Sequence, residues 1–306
     1  MIKLNALQKG DQVAIIAPAG PPDKEHLSQG IKVLEKMGLE VVIGRHVYDV
    51  EEDSAALNEK RLADLHDAFR NPAIKAIFCA NGGYGTAKLA PKIDYELIRN
   101  NPKIFWGYSD ITYLLHAIQN FGDLVTFHGP MVASDLNDEQ RTEGSESSFL
   151  PLFTGESLIY DSGKSPLTTF VEGTGEGRLV GGNLSLLISA MGTPYQVNAD
   201  GAILLIEEVA EPAFRIDLML AQLKQAGLFD TVEGVVLGNF QADPEESVKI
   251  RKVLQDFFAD VSFPVVENFQ IGHCQPNYGV PLGVNAKLTT SPSRLEVASG
   301  VKKLRN

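Results

Sequence analysis

Cysteine is scarce in this chain of 306 residues, which contains only Cys79 and Cys274. Two cysteines are too few for a disulfide framework, and a chain of this length can bury a core without one. Cys79 stands in an apolar run, where we expect a small buried side chain. Cys274 follows His273, but no second cluster of cysteine and histidine supports a metal site. We therefore expect no metal ion and no other cofactor.

Basic residues are also few, 27 against 39 acidic ones, and the formal net charge is −12. A protein that binds nucleic acid through its phosphates needs a basic face, and so does one that binds an anionic membrane surface. The charge argues against both partners. The N-terminal apolar run, 13–17, is too short for a secretory signal, and no run approaches the roughly 18 residues of a membrane span. We expect a cytoplasmic protein.

Short apolar runs alternate with helical patterns in the first half of the chain. The runs 13–17, 40–43, 76–80 and 104–106 are typical of strands, and apolar residues at helical spacing separate them. Asn58 is predicted to cap one of these helices. Strands that alternate with helices predict a parallel sheet covered on both faces.

The alternation breaks after about Gly129, where a polar and acidic segment covers 136–148. Residues 154–165 are rich in Gly, Ser, Asp and Lys, and shorter strand and helix patterns follow. We predict an N-terminal α/β domain over 1–153, a linker over 154–170, and a smaller, β-rich mixed α/β domain over 171–306.

The segment Gly107-Tyr108-Ser109-Asp110 is the most informative of the loops that follow predicted strands. A strand ends, a glycine permits a tight turn, and a helix begins at once, as in a nucleophile elbow. The N–H of Asp110, at the start of the helix, is then a candidate oxyanion donor. Ile111 replaces the second glycine of the G-x-S-x-G pattern, and a simple helix cap remains the alternative for Ser109 or Asp110.

A serine nucleophile needs a base and an orienting acid. His273 lies in an irregular segment after a strand, where catalytic residues gather, and is the candidate base. Glu207 and Glu208 follow the apolar run 203–206 and are the candidate acids, although an isolated pair of this kind is usually solvated. The loop 82–85, Gly-Gly-Tyr-Gly, is either a tight turn or a second source of oxyanion donors.

These segments together resemble the LD-carboxypeptidases of the S66 class of serine peptidases. The resemblance spans nearly the whole chain and depends on the order of several weak motifs. They are NGGYGT (81–86), PKIFWGYSDIT (102–112), FHGP (127–130), GGNL (181–184), the Glu207 strand end with FRID (214–217), IGH (271–273) and PLG (281–283).

The resemblance implies a Ser109–Glu207–His273 triad, with oxyanion donors at Gly83 or Gly82 and at Asp110. The second position of the family's Glu-Asp pair is Glu208 here. Asn81 and Leu218 stand where the family usually has arginine. The candidate substrate-binding residues are Tyr84, His128, Asn183 and Arg215.

The implied fold is an N-terminal parallel sheet of the flavodoxin or class I glutamine amidotransferase type joined to the smaller C-terminal domain. The implied activity is release of the terminal D-alanine from a murein tetrapeptide during cell-wall recycling. The implied partners are this small peptide substrate and a second copy of the chain in a homodimer.

Three alternatives remain open. An immunity peptidase of the same family, which cleaves a peptide–nucleotide antibiotic, would have the same triad. A non-catalytic α/β protein would hold a nucleotide with its glycine loops. A hydrolase of the glutamine amidotransferase type would need a cysteine at the elbow, where this chain has Ser109.

Overall fold

The structure is a computed structural model that describes residues 1–50, 54–138 and 144–303. The polar segment 136–148, predicted to lie near a domain boundary, falls partly outside the described residues at 139–143. Within the described ranges, no helix is long and apolar enough to cross a membrane.

The N-terminal sheet has the strand order β3–β2–β4–β5–β6–β13, and all neighbours are parallel except β6 and β13. Its strands are β2 (Gln12–Ile16), β3 (Glu40–Ile43), β4 (Ile74–Cys79), β5 (Ile104–Trp106), β6 (Thr126–His128) and β13 (Val280–Leu282). The helices of this half are α1 (Lys24–Lys36), α2 (Ser54–Arg70), α3 (Thr86–Leu89), α4 (Tyr95–Asn100), α5 (Thr112–Gly122) and α6 (Leu150–Thr154), with 3₁₀ turns at Ala90–Lys92, Ser109–Ile111 and Ser145–Phe149.

The C-terminal sheet has the order β7–β15–β14–β9–β10–β11–β12–β8, with a parallel centre from β9 to β12 and antiparallel strands at both edges. Its strands are β7 (Leu158–Tyr160), β8 (Thr168–Val171), β9 (Thr174–Asn183), β10 (Ala202–Val209), β11 (Gly234–Gln241), β12 (Val265–Glu267), β14 (Asn285–Thr290) and β15 (Ser293–Val297). The helices are α7 (Leu184–Ala190), α8 (Ala213–Gln225) and α9 (Pro244–Phe258). The predicted α/β fold, with a parallel N-terminal sheet and a β-rich second half, is confirmed.

Local sequence explains how the first helix begins and which face it buries. The Asp23 carboxylate accepts the N–H groups of Glu25 and His26, which have no partner inside the first turn. Leu27 and Leu34, two turns apart, then face the core. Asn58 does not cap α2 as predicted, because that helix already begins at Ser54 and Asn58 is buried inside it.

The two halves share backbone pairing. Strand β13, from the C-terminal part, completes the N-terminal sheet against β6, and β1 (Leu4–Asn5) pairs with β16 (Val301–Lys302). The segment predicted as a linker, 154–170, includes β7 and the start of β8, which are edge strands of the C-terminal sheet. Its polar residues are compatible with strands because both strands lie at an edge, where one side faces solvent.

Candidate active site

Ser109 lies in a strained turn directly after β5. Its φ is +63°, a left-handed conformation that residues other than glycine rarely adopt and that costs about 1–3 kcal/mol. The chain leaves β5, turns through Gly107 and Tyr108, and enters the 3₁₀ turn that continues as α5. A Cβ on Gly107 would lie 3.0 Å from the Cβ of Cys79, so the turn can pack this closely on β4 only with glycine. The turn thus holds the serine hydroxyl at the carboxyl edge of the sheet.

His273 lies between the serine and a buried carboxylate. Its Nε2 accepts a hydrogen bond from Ser109 Oγ at 3.2 Å, and its Nδ1–H donates to Glu207 Oε2 at 2.6 Å. The backbone N–H of His273 donates to the same oxygen at 3.3 Å. Three residues that are far apart in the sequence therefore form one hydrogen-bonded line, in the arrangement that activates a serine nucleophile.

The electrostatics of this line suit a base that becomes charged. Burial alone would lower the pKa of His273, but the adjacent Glu207 carboxylate more than offsets it, and the pKa is raised. Burial would likewise raise the pKa of Glu207, which is fully buried, but the His273 imidazole lowers it overall. Each group stabilises the charged form of the other.

The Glu208 side chain points away from this line and forms hydrogen bonds with neighbouring segments of the chain. Its carboxylate accepts hydrogen bonds from Asn183 Nδ2 at 2.9 Å, from the N–H and Oγ of Ser185 at 2.8 and 2.7 Å, and from the N–H of Val209 at 2.8 Å. Burial raises its pKa despite these donors. Of the two neighbouring glutamates, Glu207 is the one that contacts His273.

The glycine-rich loop packs closely against Ser109. A Cβ on Gly82 would lie 3.2 Å from Ser109 Oγ, and Gly83 has a φ of +144°. Neither Gly83 nor Asp110 donates its N–H to an acceptor among the residues that the structure describes. Two such donors are the requirement of an oxyanion site.

Thr86 fastens the glycine-rich loop to the serine turn. Its N–H donates to Asp110 Oδ2 at 3.0 Å and its hydroxyl donates to the Asp110 carbonyl at 2.6 Å. Thr86 and Asp110 are both buried. Their paired bonds fix the position of the loop relative to the turn.

Tyr108 and Asp135 form a supporting layer that sequence reasoning missed. The Tyr108 ring lies 4.8 Å from the His273 ring, centroid to centroid, and its hydroxyl donates to Asp135 Oδ1 at 3.0 Å. Asp135 in turn accepts the N–H of Met131 and the hydroxyl of Ser134. Tyr108 stands in the motif around the serine, but no local pattern pairs it with a carboxylate 27 residues away.

The four candidate substrate-binding residues differ in their surroundings. Tyr84 is 72% exposed on the glycine-rich loop, with Lys88 Nζ 4.9 Å from its ring centroid. Arg215 is half-exposed on α8 and lies 3.5 Å from Glu211, as on an ordinary helix surface. The Asn183 side chain bonds Glu208 and caps α7.

His128 is the fourth candidate and is fully buried. Both of its ring nitrogens lack a hydrogen-bond partner, and burial lowers its pKa to about 4. Its ring packs against Tyr108, with the two ring centroids 5.5 Å apart. In this position it offers no surface to a substrate.

Neither cysteine is exposed. Burial raises the pKa of both thiols, and Cys79 is completely buried in β4. Over the described ranges, no group of three or more metal-ligating side chains comes together.

Two protein-family models match this chain. The family models described as LD-carboxypeptidase N-terminal domain and LD-carboxypeptidase C-terminal domain match residues 13–129 and 176–288. The chain is 42% identical over 303 residues to the probable murein peptide carboxypeptidase of Bacillus subtilis strain 168, covering 98% of this chain and 95% of that protein.

Two solved structures are similar over nearly the whole chain. An MccF-like protein from Bacillus anthracis aligns with a TM-score of 0.89 and 28% identity, covering 98% of this chain and all of that one. A muramoyltetrapeptide carboxypeptidase from Oxalobacter formigenes aligns with a TM-score of 0.82 and 29% identity, covering 94% and 99% of the two chains.

Proposed function

The chain belongs to the LD-carboxypeptidase family, and from that premise we propose that it releases the terminal D-alanine of murein tetrapeptides through Ser109, His273 and Glu207. The observation that carries the proposal is the hydrogen-bonded line from Ser109 Oγ through His273 to Glu207 Oε2. The names of the relatives support a murein peptide as substrate.

In the proposed acylation step, His273 Nε2 takes the proton of Ser109 while Oγ attacks the carbonyl carbon of the bond between the L-centre and D-alanine. Glu207 holds the Nδ1–H and stabilises the imidazolium that forms. The N–H groups of Gly83 and Asp110 bind the oxyanion, and each such donor is worth about 2.7–4 kcal/mol. His273 then protonates the leaving amine, and D-alanine departs.

In the proposed deacylation step, His273 removes a proton from a water molecule, which attacks the acyl-serine ester. Collapse of the second tetrahedral intermediate returns the proton to Ser109 Oγ and releases the tripeptide. The overall reaction consumes one water and cleaves one amide bond. No metal or redox partner is required for this balance.

The test is product analysis with three substrates: a murein tetrapeptide, the corresponding pentapeptide and a peptidyl-nucleotide. We expect loss of one D-alanine from the tetrapeptide alone, and no product with Ser109→Ala. Cleavage of only the peptidyl-nucleotide would instead establish the immunity-peptidase alternative. If none of the three is cleaved, the proposal is wrong.

We further propose that the active unit is a homodimer, as the family resemblance implies, and that it works in the cytoplasm. Sedimentation equilibrium at micromolar concentration should give twice the chain mass of 33.2 kDa. Fractionation of the source cells should place the protein in the cytoplasm. A monomer with full activity would contradict the first part of this proposal.

A further inference from the structure

A carboxypeptidase must recognise the free carboxylate at the end of its substrate, and this requirement rests on the proposed function. The chain carries a net charge of −12, and Asn81 and Leu218 are neutral. Leu218 is exposed on α8. A cation that receives the substrate carboxylate must therefore come from another position.

Arg61 projects from α2 onto the glycine-rich loop. Its Nη1–H donates to the carbonyl oxygen of Tyr84 at 3.3 Å, and the same nitrogen lies 3.6 Å from the position that a Cβ on Gly85 would occupy. The guanidinium thus lies in van der Waals range of Gly85, whose φ of +110° is the reason for glycine at this position. The loop that Arg61 contacts is the one whose Gly82 packs against Ser109 Oγ.

Arg61 is partly buried, yet it forms no ion pair with a carboxylate of the described residues. Arg99 and Arg178, like Arg61, form no such ion pair, whereas five other described arginines lie within 4 Å of a carboxylate: Arg45, Arg70, Arg215, Arg251 and Arg294. Asp110 acts on Arg61 electrostatically, but its Oδ2 already accepts the N–H of Thr86. A partly buried guanidinium without a paired anion is costly unless an anion binds to it.

The hydrogen-bond donors of the guanidinium indicate which kind of ligand it would bind. It has five N–H donors in a planar fork, and only one is used by the Tyr84 carbonyl. The remaining donors match the two oxygens of a carboxylate, which arginine binds in a bidentate manner. Lys88, on the same side of the loop, is exposed and lies over the Tyr84 ring instead.

We propose that Arg61 binds the terminal carboxylate of the substrate and thereby restricts cleavage to the last residue of the peptide. Arg61 contacts the glycine-rich loop at Tyr84, the residue after Gly83, so the bound carboxylate would lie beside that loop. Carboxylate binding at Arg61 also explains how an acidic protein holds a substrate that carries carboxylates of its own. Arg61 acts as a specificity residue and takes no part in proton transfer.

The experiment compares two tetrapeptides that differ only at the end, one with a free carboxylate and one with a carboxamide. Arg61→Ala should lower kcat/KM for the acid about 30-fold or more, mainly through KM, as expected when one partner of a desolvated charge pair is removed. For the amide, the loss should stay below about threefold. Added guanidinium ion should partly restore hydrolysis of the acid by Arg61→Ala.

Two exposed cations serve as matched controls. Lys88→Ala removes the same charge beside the same loop, and Arg70→Ala removes an arginine of α2 that is ion-paired with Asp67. Neither should change the preference for acid over amide. Equal loss on both peptides with Arg61→Ala would show that Arg61 only supports the loop, and it would overturn the inference.

Binding to the Ser109→Ala protein separates this inference from the proposed function. Calorimetry should show tighter binding of the acid than of the amide, and the difference should vanish in Ser109→Ala/Arg61→Ala. If the wild-type enzyme cleaves neither peptide, the proposed function fails, while this binding difference still decides the role of Arg61. Unchanged discrimination in the double variant would overturn the inference even in an active enzyme.

Discussion

Glu207 and Glu208 are neighbours in β10 whose side chains point to opposite faces, as successive residues of a strand do. The Glu207 carboxylate bonds His273, and the Glu208 carboxylate accepts three hydrogen bonds at the start of α7 and one from the N–H of Val209. The same residue type, at the same depth, thus has two different surroundings. The proposed catalytic role belongs to Glu207 alone.

Substitution of the two glutamates should separate these roles. Because the Glu207 carboxylate raises the pKa of His273, kcat/KM should fall as the pH drops through an apparent pKa above 6.5. Glu207→Gln removes that charge, and burial alone then lowers the pKa of His273. The acidic limb of the pH profile should therefore move to lower pH, while kcat falls about 10⁴-fold. Glu208→Gln should lower the melting temperature and leave the limb in place. A limb that moves with Glu208→Gln would contradict this assignment.

The backbone strain at Ser109 is a second property of a single residue. In the left-handed region, glycine has no Cβ penalty and alanine does, so Ser109→Gly should be about 1 kcal/mol more stable than Ser109→Ala. Both variants should be inactive. Urea unfolding of the two proteins measures the difference. Equal stabilities would mean that the turn relaxes out of the positive φ when the hydroxyl is removed.

At the scale of elements, the site depends on how two loops are held together. The glycine-rich loop follows β4 and the serine turn follows β5, and Thr86 joins them through Asp110. A donor that stabilises an oxyanion must be placed before the reaction begins. We therefore expect the Thr86 hydroxyl to contribute to the proposed catalysis without contacting the substrate.

Thr86→Val keeps the shape of the side chain and removes the hydroxyl bond to the Asp110 carbonyl. We expect kcat to fall about tenfold with little change in KM, because a displaced donor weakens stabilisation of the oxyanion in the transition state and not substrate binding. Thr126→Val is the matched control, since Thr126 is also fully buried and accepts a bond from Gln119 Nε2. It should lose stability and keep kcat. A similar fall in kcat for both would point to general loosening of the fold.

Sequence reasoning succeeded for elements whose pattern is local. The strands at 40–43 and 104–106 are observed at the predicted residues, and the turn after β5 was recognised from glycine, serine and a following helix. The prediction of a helix cap at Asn58 is wrong, because a polar residue inside a helix carries the same local signal as one at its start. Pairings between distant segments, such as β13 with β6 or Tyr108 with Asp135, leave no periodic signal and were not predicted.

At the scale of the whole molecule, the two halves contribute different parts of one site. Ser109 and the glycine-rich loop come from the N-terminal sheet, while Glu207 and His273 lie in and after strands of the C-terminal sheet. The pairing of β13 with β6 and of β1 with β16 ties these halves along their backbones. The hydrogen bond from Ser109 to His273 therefore depends on the integrity of the complete fold.

The free energy of unfolding should depend on pH through two buried histidines. Burial lowers the pKa of His116 and of His128 to about 4, whereas an unfolded histidine titrates near 6.5. Between these values the unfolded chain binds more protons than the folded one, so stability is present above pH 6.5 and is lost as the pH falls toward 4. Each histidine should contribute about 2 kcal/mol of destabilisation between pH 7 and pH 5.

Urea unfolding at pH 7 and pH 5 measures this loss. His116→Gln and His128→Gln should each reduce the difference between the two pH values by about 2 kcal/mol relative to the wild type. His26→Gln, at an exposed position of α1, is the control and should leave the difference unchanged. The comparison cancels the carboxylates whose pKa burial raises, such as Asp135, because they are present in every protein compared. Wild-type pH dependence in His128→Gln would show that this histidine is already charged in the folded state, or that its burial is relieved by water.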